Sequence, residues 1–288
     1  MKLNALCGSK KYSNETLIHI LNIKNNKTIQ QFNNKSISMK KAFRKRLQNH
    51  ESLLGTLLSL PSPEIAELLS KTGFDWLFID LEHSTIDVQR AQRMIQSAQS
   101  NAHCILRVPG NDEIWIKRCL DTGAEGIIVP QVNTREEAEQ AVRFTKYPPQ
   151  GKRSVGISKA HNYGITFNQY IQNANEDIAL IVQCEAQEAI KNLPEILEVE
   201  GIDCVFIGPY DLSASMGKTG EVQSQEVVDA IRSIQKQCSK KNMPLGIFGG
   251  SPEAVKKYKD EGYNLIAVGI DVLMFYNSAR ETINKLKK

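Results

Sequence analysis

Eight times between residues 53 and 286, an apolar run of strand length gives way to an amphipathic stretch of helix length. The runs occupy 53–60, 74–82, 103–109, 126–132, 178–185, 203–212, 244–250 and 264–272; the helical stretches occupy 64–71, 88–98, 113–120, 135–145, 187–197, 225–239, 253–260 and 273–286. Near-continuous apolar strands need cover on both faces, and alternating helices provide it, so the pattern predicts a parallel sheet. Eight such units in succession match an α/β fold of the (β/α)8 TIM-barrel type, eight-stranded and parallel, better than an open doubly wound sheet. No G-x-G-x-x-G follows the first run, which argues against dinucleotide binding. Punctuation agrees: Ser62-Pro63-Glu64 and Ser251-Pro252-Glu253 each offer a cap, a proline at the first helical position and an acid in the first turn. Gly73, Gly123 and Gly262 follow helix ends. The one long irregular insert is 147–175, of a kind often tied to function.

Charge is divided unevenly. Residues 1–50 hold 11 Lys/Arg and a single acid, Glu15, a net of +10, whereas the remaining 238 residues hold 25 bases and 31 acids, a net of −6. The body of the chain is therefore mildly acidic and offers no basic face for nucleic acid. Residues 1–38 are rich in Asn, Lys and Ser, and read as a basic, loosely ordered extension that cannot offset its ordering entropy. Residues 39–288 read as a single (β/α)8 domain opening on the amphipathic string MKKAFRKRL, with Met39 as its expected natural start. No apolar run reaches the roughly 18–20 residues of a membrane-spanning helix; the longest, 265–275, is broken by Asp271. Six cysteines without a C-x-x-C pair, and no secretory leader, fit a reducing cytoplasm.

Active sites of such barrels lie at the carboxyl ends of the strands. Those ends read Asp80-Leu81-Glu82-His83, Arg107, Pro130-Gln131, Gln183-Cys184-Glu185, Gly208-Pro209-Tyr210-Asp211, Gly249-Gly250, and Gly269 with Asp271. Several carboxylates grouped with one guanidinium and one imidazole are costly to bury unless they pair or hold a metal. Glu185 and Asp211 end adjacent strands and suit one octahedral cation, Mg²⁺ or Mn²⁺, with room left for water and a chelating substrate. No lysine lies in any strand, which argues against a Schiff base. Arg107 is then the group to steady a developing enolate, unless it serves only as an ion-pair partner of Asp80. His83 is the leading general base; His103 opens a strand at the wrong barrel end, His161 lies in the insert, and His19 and His50 lie in the basic leader. Asp121 reads either as a solvated turn acid or as the group that orients His83, the latter across a subunit boundary because helix ends lie far from their own barrel mouth. Gly249-Gly250-Ser251 reads equally as an anion-binding turn or as a tight turn.

The strings GFDWLFIDLEH at 73–83, Asn111-Asp112 with Ile116-Lys117 and Leu120-Asp121, YPPQGKR at 147–153, VQCE at 182–185, VFIGPYDLS at 205–213 and AVGID at 267–271 resemble the HpcH/HpaI aldolase family, the class II pyruvate aldolases. The likeness runs in order over 39–288. It implies a metal-dependent carbon–carbon lyase that cleaves a 4-hydroxy-2-oxo acid, of the 2-keto-3-deoxy sugar acid or hydroxy-keto-dioate type, into pyruvate and an aldehyde. By this resemblance His83 is the base, Arg107 the pyruvate-binding arginine and Asp121 the acid supporting the histidine. The metal ligands are Glu185 and Asp211, holding Mg²⁺, Mn²⁺ or Co²⁺, and substrate is contacted by Arg107, Gln183, Gly208, Pro209, Asp211 and the backbone at Tyr210. The resemblance further implies a homohexamer, a trimer of dimers, in which the last helix exchanges between subunits.

Two departures bear on specificity. Leu57 stands where some family members carry Trp at the pocket mouth, and Tyr210 where many carry Ala; the tyrosine should narrow the aldehyde side against a long dioate. Two rival classes are a CoA-thioester lyase of the citrate lyase beta type, which needs a basic nucleotide patch that the acidic body does not offer, and a non-catalytic barrel, against which the full set of His83, Arg107, Glu185 and Asp211 argues.

Overall fold

The computed structural model describes residues 42–287; the expectations for residues 1–38, and for the first residues of the opening helix, lie outside them. A short helix α1 (Phe43–Gln48) precedes eight strands: β1 (Leu53–Leu58), β2 (Trp76–Asp80), β3 (His103–Arg107), β4 (Gly126–Val129), β5 (Ala179–Cys184), β6 (Cys204–Ile207), β7 (Leu245–Gly249) and β8 (Leu265–Ile270). Each pairs in parallel with the next, and β8 returns to β1, closing the barrel that the sequence predicts. The outer helices are α2 (Pro63–Ser70), α3 (Val88–Ala98), α4 (Glu113–Asp121), α5 (Arg135–Thr145), α6 (Phe167–Asp177), α7 (Gln187–Ile196), α8 (Pro209–Ser215), α9 (Gln225–Lys240), α10 (Pro252–Asp260) and α11 (Asp271–Leu286).

The capping residues do what their chemistry suggests. Ser62 and Ser251 accept from the N–H groups of Ile65 and Ala254, and Asp87, Asp112 and Thr134 cap α3, α4 and α5 in the same way. Gly73, Gly123 and Gly262 take positive φ beyond their helices. Two readings need correction. The apolar stretch 203–212 is a four-residue strand followed by α8, because Gly208 breaks the ladder and Pro209 starts a helix. The insert 147–175 is not irregular throughout: it holds a 3₁₀ turn at Lys159–Gly164 and the helix α6.

Strand periodicity sorts the side chains into two cores. Outward residues meet the helices, while inward residues Leu53, Leu57, Trp76, Phe78, Ile105, Ile128, Ala179, Ile181, Cys204, Phe206, Leu265 and Ala267 fill the barrel. Phe43 and Leu47 of α1 are fully buried and plug the amino end, with the Phe43 ring 5.3 Å from His103 and 6.3 Å from Trp76. Leu57, expected at the pocket mouth, belongs to this interior layer and sits level with Phe78. Continuing the inward rows by two residues places Asp80 above Phe78, Arg107 above Ile105, and Gln183 above Ile181. The polar site is thus the top layer of the barrel core.

Candidate active site

Asp80 and Arg107 are partners in the β2–β3 register, so their side chains leave the sheet side by side. Arg107 donates from Nε to Asp80 Oδ1 at 2.8 Å and from Nη2 to Oδ2 at 2.7 Å, a two-pronged pair that fixes the guanidinium plane. Its ring-like face lies 5.2 Å from the Phe78 centroid, and Nη1 stands 3.0 Å from Glu82 Oε2. Burial works against the Arg107 charge, but the hydrogen bond and charge of Asp80, with Glu82 and Glu185 behind it, hold its pKa above the ordinary value. Asp80 Oδ1 also accepts from the backbone N–H of Glu82 at 3.0 Å and of His83 at 3.4 Å. One buried carboxylate therefore orients the guanidinium and the turn that carries the candidate base.

Across the mouth, Glu185 follows β5 and is 1% exposed. Its Oε1 accepts from the Gln131 N–H at 2.9 Å, and its Oε2 accepts from the Gln183 amide. Gln131 holds a left-handed φ of 54°, which marks a constrained turn where its N–H meets the carboxylate. Burial pushes Glu185 up to about 7; the Gln131 hydrogen bond and Arg107 oppose this, while Asp211 and Glu82 add to it. Glu82 is raised too, mainly by burial. Gly208 is the spacer: a Cβ there would stand 2.6 Å from Glu185 Oε2 and 2.8 Å from Gln183 Nε2, so any larger residue would fill the gap.

The donor set suits a hard divalent cation. Four carboxylates (Asp80, Glu82, Glu185 and Asp211) face a single guanidinium, and Asp211 is near enough for its charge to raise both Glu185 and Glu82. Gln183 Oε1 is buried with no partner and the Gly208 gap stands open beside it, a cradle for an oxygen-seeking ion with its own waters. Among the described residues no cluster of three or more His, Cys, Asp or Glu side chains could by itself hold a metal ion.

The remaining predicted residues fall in three places. His83 stands on the turn after β2 with its side chain 64% exposed, and its nearest charge is Glu82 Oε2 at 3.8 Å. Pro209, Tyr210 and Asp211 form the first turn of α8. The Tyr210 ring packs 6.2 Å from Phe248, and its hydroxyl lies 3.6 Å from where a Gly250 Cβ would stand, so the side chain spans from β6 to the turn after β7. Ser251 in that turn caps α10. Asp121 is not brought to this mouth. It ends α4, at the amino end of the barrel, on the order of 15 Å of strand away from His83. Nor is it a merely solvated turn acid, because Arg153 Nη2 donates to its Oδ1 at 2.9 Å.

Several contacts at the mouth carry no signal in the sequence. Asp80 reads from the sequence as a strand-end acid and a partner of Arg107, but its grip on the His83 turn depends on how the chain bends after β2. Gln131 acts through its backbone, and a left-handed Gln carries no signal in composition. Asp271 ties the end of β8 to β1, accepting from the Ser59 N–H and hydroxyl and from the Leu60 N–H at 2.9–3.0 Å.

Known proteins match over nearly the whole of this barrel. The family profile described as HpcH/HpaI aldolase/citrate lyase matches residues 54–278. A 2-dehydro-3,6-dideoxy-6-sulfogluconate aldolase from Pseudomonas putida is 38% identical over 243 residues, 84% of this chain and 95% of that protein. A 4-hydroxy-2-oxo-heptane-1,7-dioate aldolase from Escherichia coli is 39% identical over 244 residues, 84% of this chain and 93% of that protein. The crystal structure of a family member from Burkholderia cenocepacia superposes with a TM-score of 0.83 at 32% identity, covering 86% of this chain and all of that one.

Proposed function

The chain belongs to the HpcH/HpaI aldolase/citrate lyase family, and from that premise we propose that it is a class II aldolase cleaving a 4-hydroxy-2-oxo acid to pyruvate and an aldehyde. The observation that carries this reading is the top of the barrel: Arg107 locked on Asp80, with Glu185 close enough for the two charges to act on each other, Asp211 near Glu185, and Gly208 leaving room beside Glu185 and Gln183. A 2-oxo acid would turn its carboxylate and keto oxygens to the Nη1–Nη2 edge of Arg107, displacing Glu82 Oε2, which stands 3.0 Å from Nη1, with the Tyr210 side of the mouth left for the aldehyde portion. Glu185 and Asp211 would hold a divalent cation, Mg²⁺, Mn²⁺ or Co²⁺, which when bound supplies Lewis-acid polarisation of the keto group.

His83 takes the proton from the substrate's 4-hydroxyl, directly or through one water, which its exposure permits. The new carbonyl forms as the C3–C4 pair moves into the C2–C3 bond, giving the enolate of pyruvate and a free aldehyde. Arg107, already oriented before substrate arrives, meets the negative charge that develops on the enolate oxygen. A proton delivered to C3 completes pyruvate.

Two features support assembly. The 16-residue α11 buries only Asp271 and leaves Val272, Leu273, Phe275, Tyr276, Ile283 and Leu286 exposed, a face that a second copy would cover. His83 and Asp121 lie at opposite ends of one barrel, so the supporting role that the resemblance gives Asp121 would need a neighbouring subunit, in keeping with the homohexamer, a trimer of dimers, that the resemblance implies. Residues 39–288 act as one catalytic domain with 1–38 appended. No described helix is long and apolar enough to cross a membrane, and Cys104, Cys119, Cys184, Cys204 and Cys238 are free thiols, which supports a cytoplasmic setting.

Chelation tests the reading. Pyruvate release from 4-hydroxy-2-oxo acids should vanish in EDTA and return with Mn²⁺, Mg²⁺ or Co²⁺. Full activity in EDTA with the fold retained would refute it.

A further inference from the structure

Away from the mouth, one charged side chain ranks among the largest that are fully buried: Arg153, 1% exposed. Its N–H donates to the Lys146 carbonyl at 3.0 Å, which closes the 147–151 turn against α5. The guanidinium lies over the Tyr147 ring at 4.6 Å and 5.8 Å from that of Tyr170, and Nη1 donates to the Tyr170 hydroxyl at 3.2 Å. Nη2 donates to Asp121 Oδ1 at 2.9 Å, and Nε is buried with no partner. Two aromatic rings and a hydroxyl thus aim one buried cation at a single oxygen of Asp121.

The pair is lopsided. The Arg153 side chain is 0% exposed and that of Asp121 29%. A surface carboxylate capping its own helix end would have no need of a fully buried guanidinium, whose desolvation is expensive. Asp121 Oδ1 is fixed, while no partner engages Oδ2 among the described residues. Pinning one oxygen sets the plane of the carboxylate and hence the direction of the other.

We infer that Arg153 is a positioning residue for catalysis: it fixes the Asp121 carboxylate so that its free oxygen meets His83 of the partner subunit in one geometry. The inference rests on the reading above, in which Asp121 supports the base of a neighbouring subunit. Arg153 touches neither substrate nor the reacting atoms and acts through Asp121 alone.

A double-mutant cycle on the full-length, metal-loaded enzyme tests this, using Arg153→Met, Asp121→Asn and the pair. Loss of an outer supporting partner costs about 10- to 100-fold in activity. Arg153→Met is therefore expected to lower kcat by about that factor with KM within about twofold, and to displace the acid limb of the kcat/KM–pH profile. In the Asp121→Asn background the same change should lower kcat less than about twofold and leave the acid limb in place. Arg153→Lys keeps the charge without the fork and should recover part of kcat. An equal loss in both backgrounds, or a wild-type kcat for Arg153→Met beside an impaired Asp121→Asn, overturns the inference. Wild-type kinetics for Asp121→Asn overturn the reading beneath it instead. Where Arg153→Met does not fold, Tyr170→Phe loosens the guanidinium and should show a smaller loss of the same kind, absent when Asp121 is Asn; an unchanged kcat there overturns the proposal.

Discussion

The metal-free protein should grow less stable as pH rises through neutrality, and Glu185 should be a principal cause. Burial holds this carboxyl at about 7 against an ordinary 4.5. In the folded state it keeps a proton that the unfolded chain has already released, so each step upward in pH favours the unfolded state. The penalty begins near pH 4.5, grows through the window to 7 and is complete above it, where it amounts to about 3 kcal/mol. About 2 kcal/mol of this develops between pH 5.5 and 8, worth about 5 °C in melting temperature for a chain of this size. Glu185→Gln removes the titration while keeping the shape, with Gln131 and Gln183 still beside it.

Thermal melts of wild type and Glu185→Gln, both stripped of metal, supply the assay. Wild type should lose about 5 °C more than the variant between pH 5.5 and 8. The surface acids cancel in the comparison; Glu82, also raised, titrates in both proteins and differs between them only by its charge coupling to Glu185, which is the smaller part of the effect. A divalent ion at a hundredfold excess over its Kd should return about 2.7 kcal/mol to wild type at pH 8. It should return little at pH 5.5, where protons compete for the same oxygens. Parallel melting curves for the two metal-free proteins would refute both the pKa argument and the placement of Glu185 in a dry pocket.

Three further outcomes are expected. Arg107→Lys leaves Asp80 a charge partner but loses the fork, so kcat should fall by about 10² to 10³ with the circular dichroism spectrum unchanged; a loss below tenfold would remove Arg107 from the reaction. Tyr210→Ala opens the side of the mouth next to Phe248 and Gly250, and should raise kcat/KM for longer aldehydes by about tenfold in the condensation direction, measured against a panel of increasing chain length. An enzyme lacking residues 1–38 should match the full chain in kcat and in melting temperature to within about 2 °C; a collapse of either would show that the basic leader belongs to the catalytic domain.

Legibility varied with how local each signal was. The bounds of α3 and α5 match the sequence reading because Asp87 and Thr134 announce their first turns and the apolar stripe is wide. The overrun at 203–212 arose because Leu212 and Ser213 are as buried on α8 as strand residues are in the barrel, so hydropathy does not change where the backbone does. The helix α6 carries little signal because Thr166, which precedes it, makes no side-chain cap and Ala174 is its one buried position. At the site, Asp80, Arg107, Gln183 and Glu185 were readable since strand ends and period-two alternation turn them toward the barrel mouth. Gln131 was not, because its part is played by a backbone N–H in a left-handed turn. Arg153 was not either, because its acid lies 32 residues earlier and nothing local distinguishes a buried arginine from a solvated one.

These placements divide labour between groups that can be built in one barrel and groups that cannot. Charge stabilisation needs rigid, desolvated partners, and the top layer of a packed barrel supplies them: Arg107 and Glu185 are each held by neighbours on adjoining strands or turns. His83 sits outside that layer, exposed and free of hydrogen bonds at its ring among the described residues, as the base proposed here would need in order to move a proton to and from a substrate that enters and leaves. The freedom that admits substrate also leaves the imidazole without a fixed tautomer or orientation. In the proposed reading Asp121, held by Arg153 at the far end of the same barrel, would supply both from another copy of the chain. On this argument the exposed face of α11 and the exposed carboxylate edge of Asp121 are two consequences of one requirement, and catalytic competence should appear with assembly rather than with folding of the single chain.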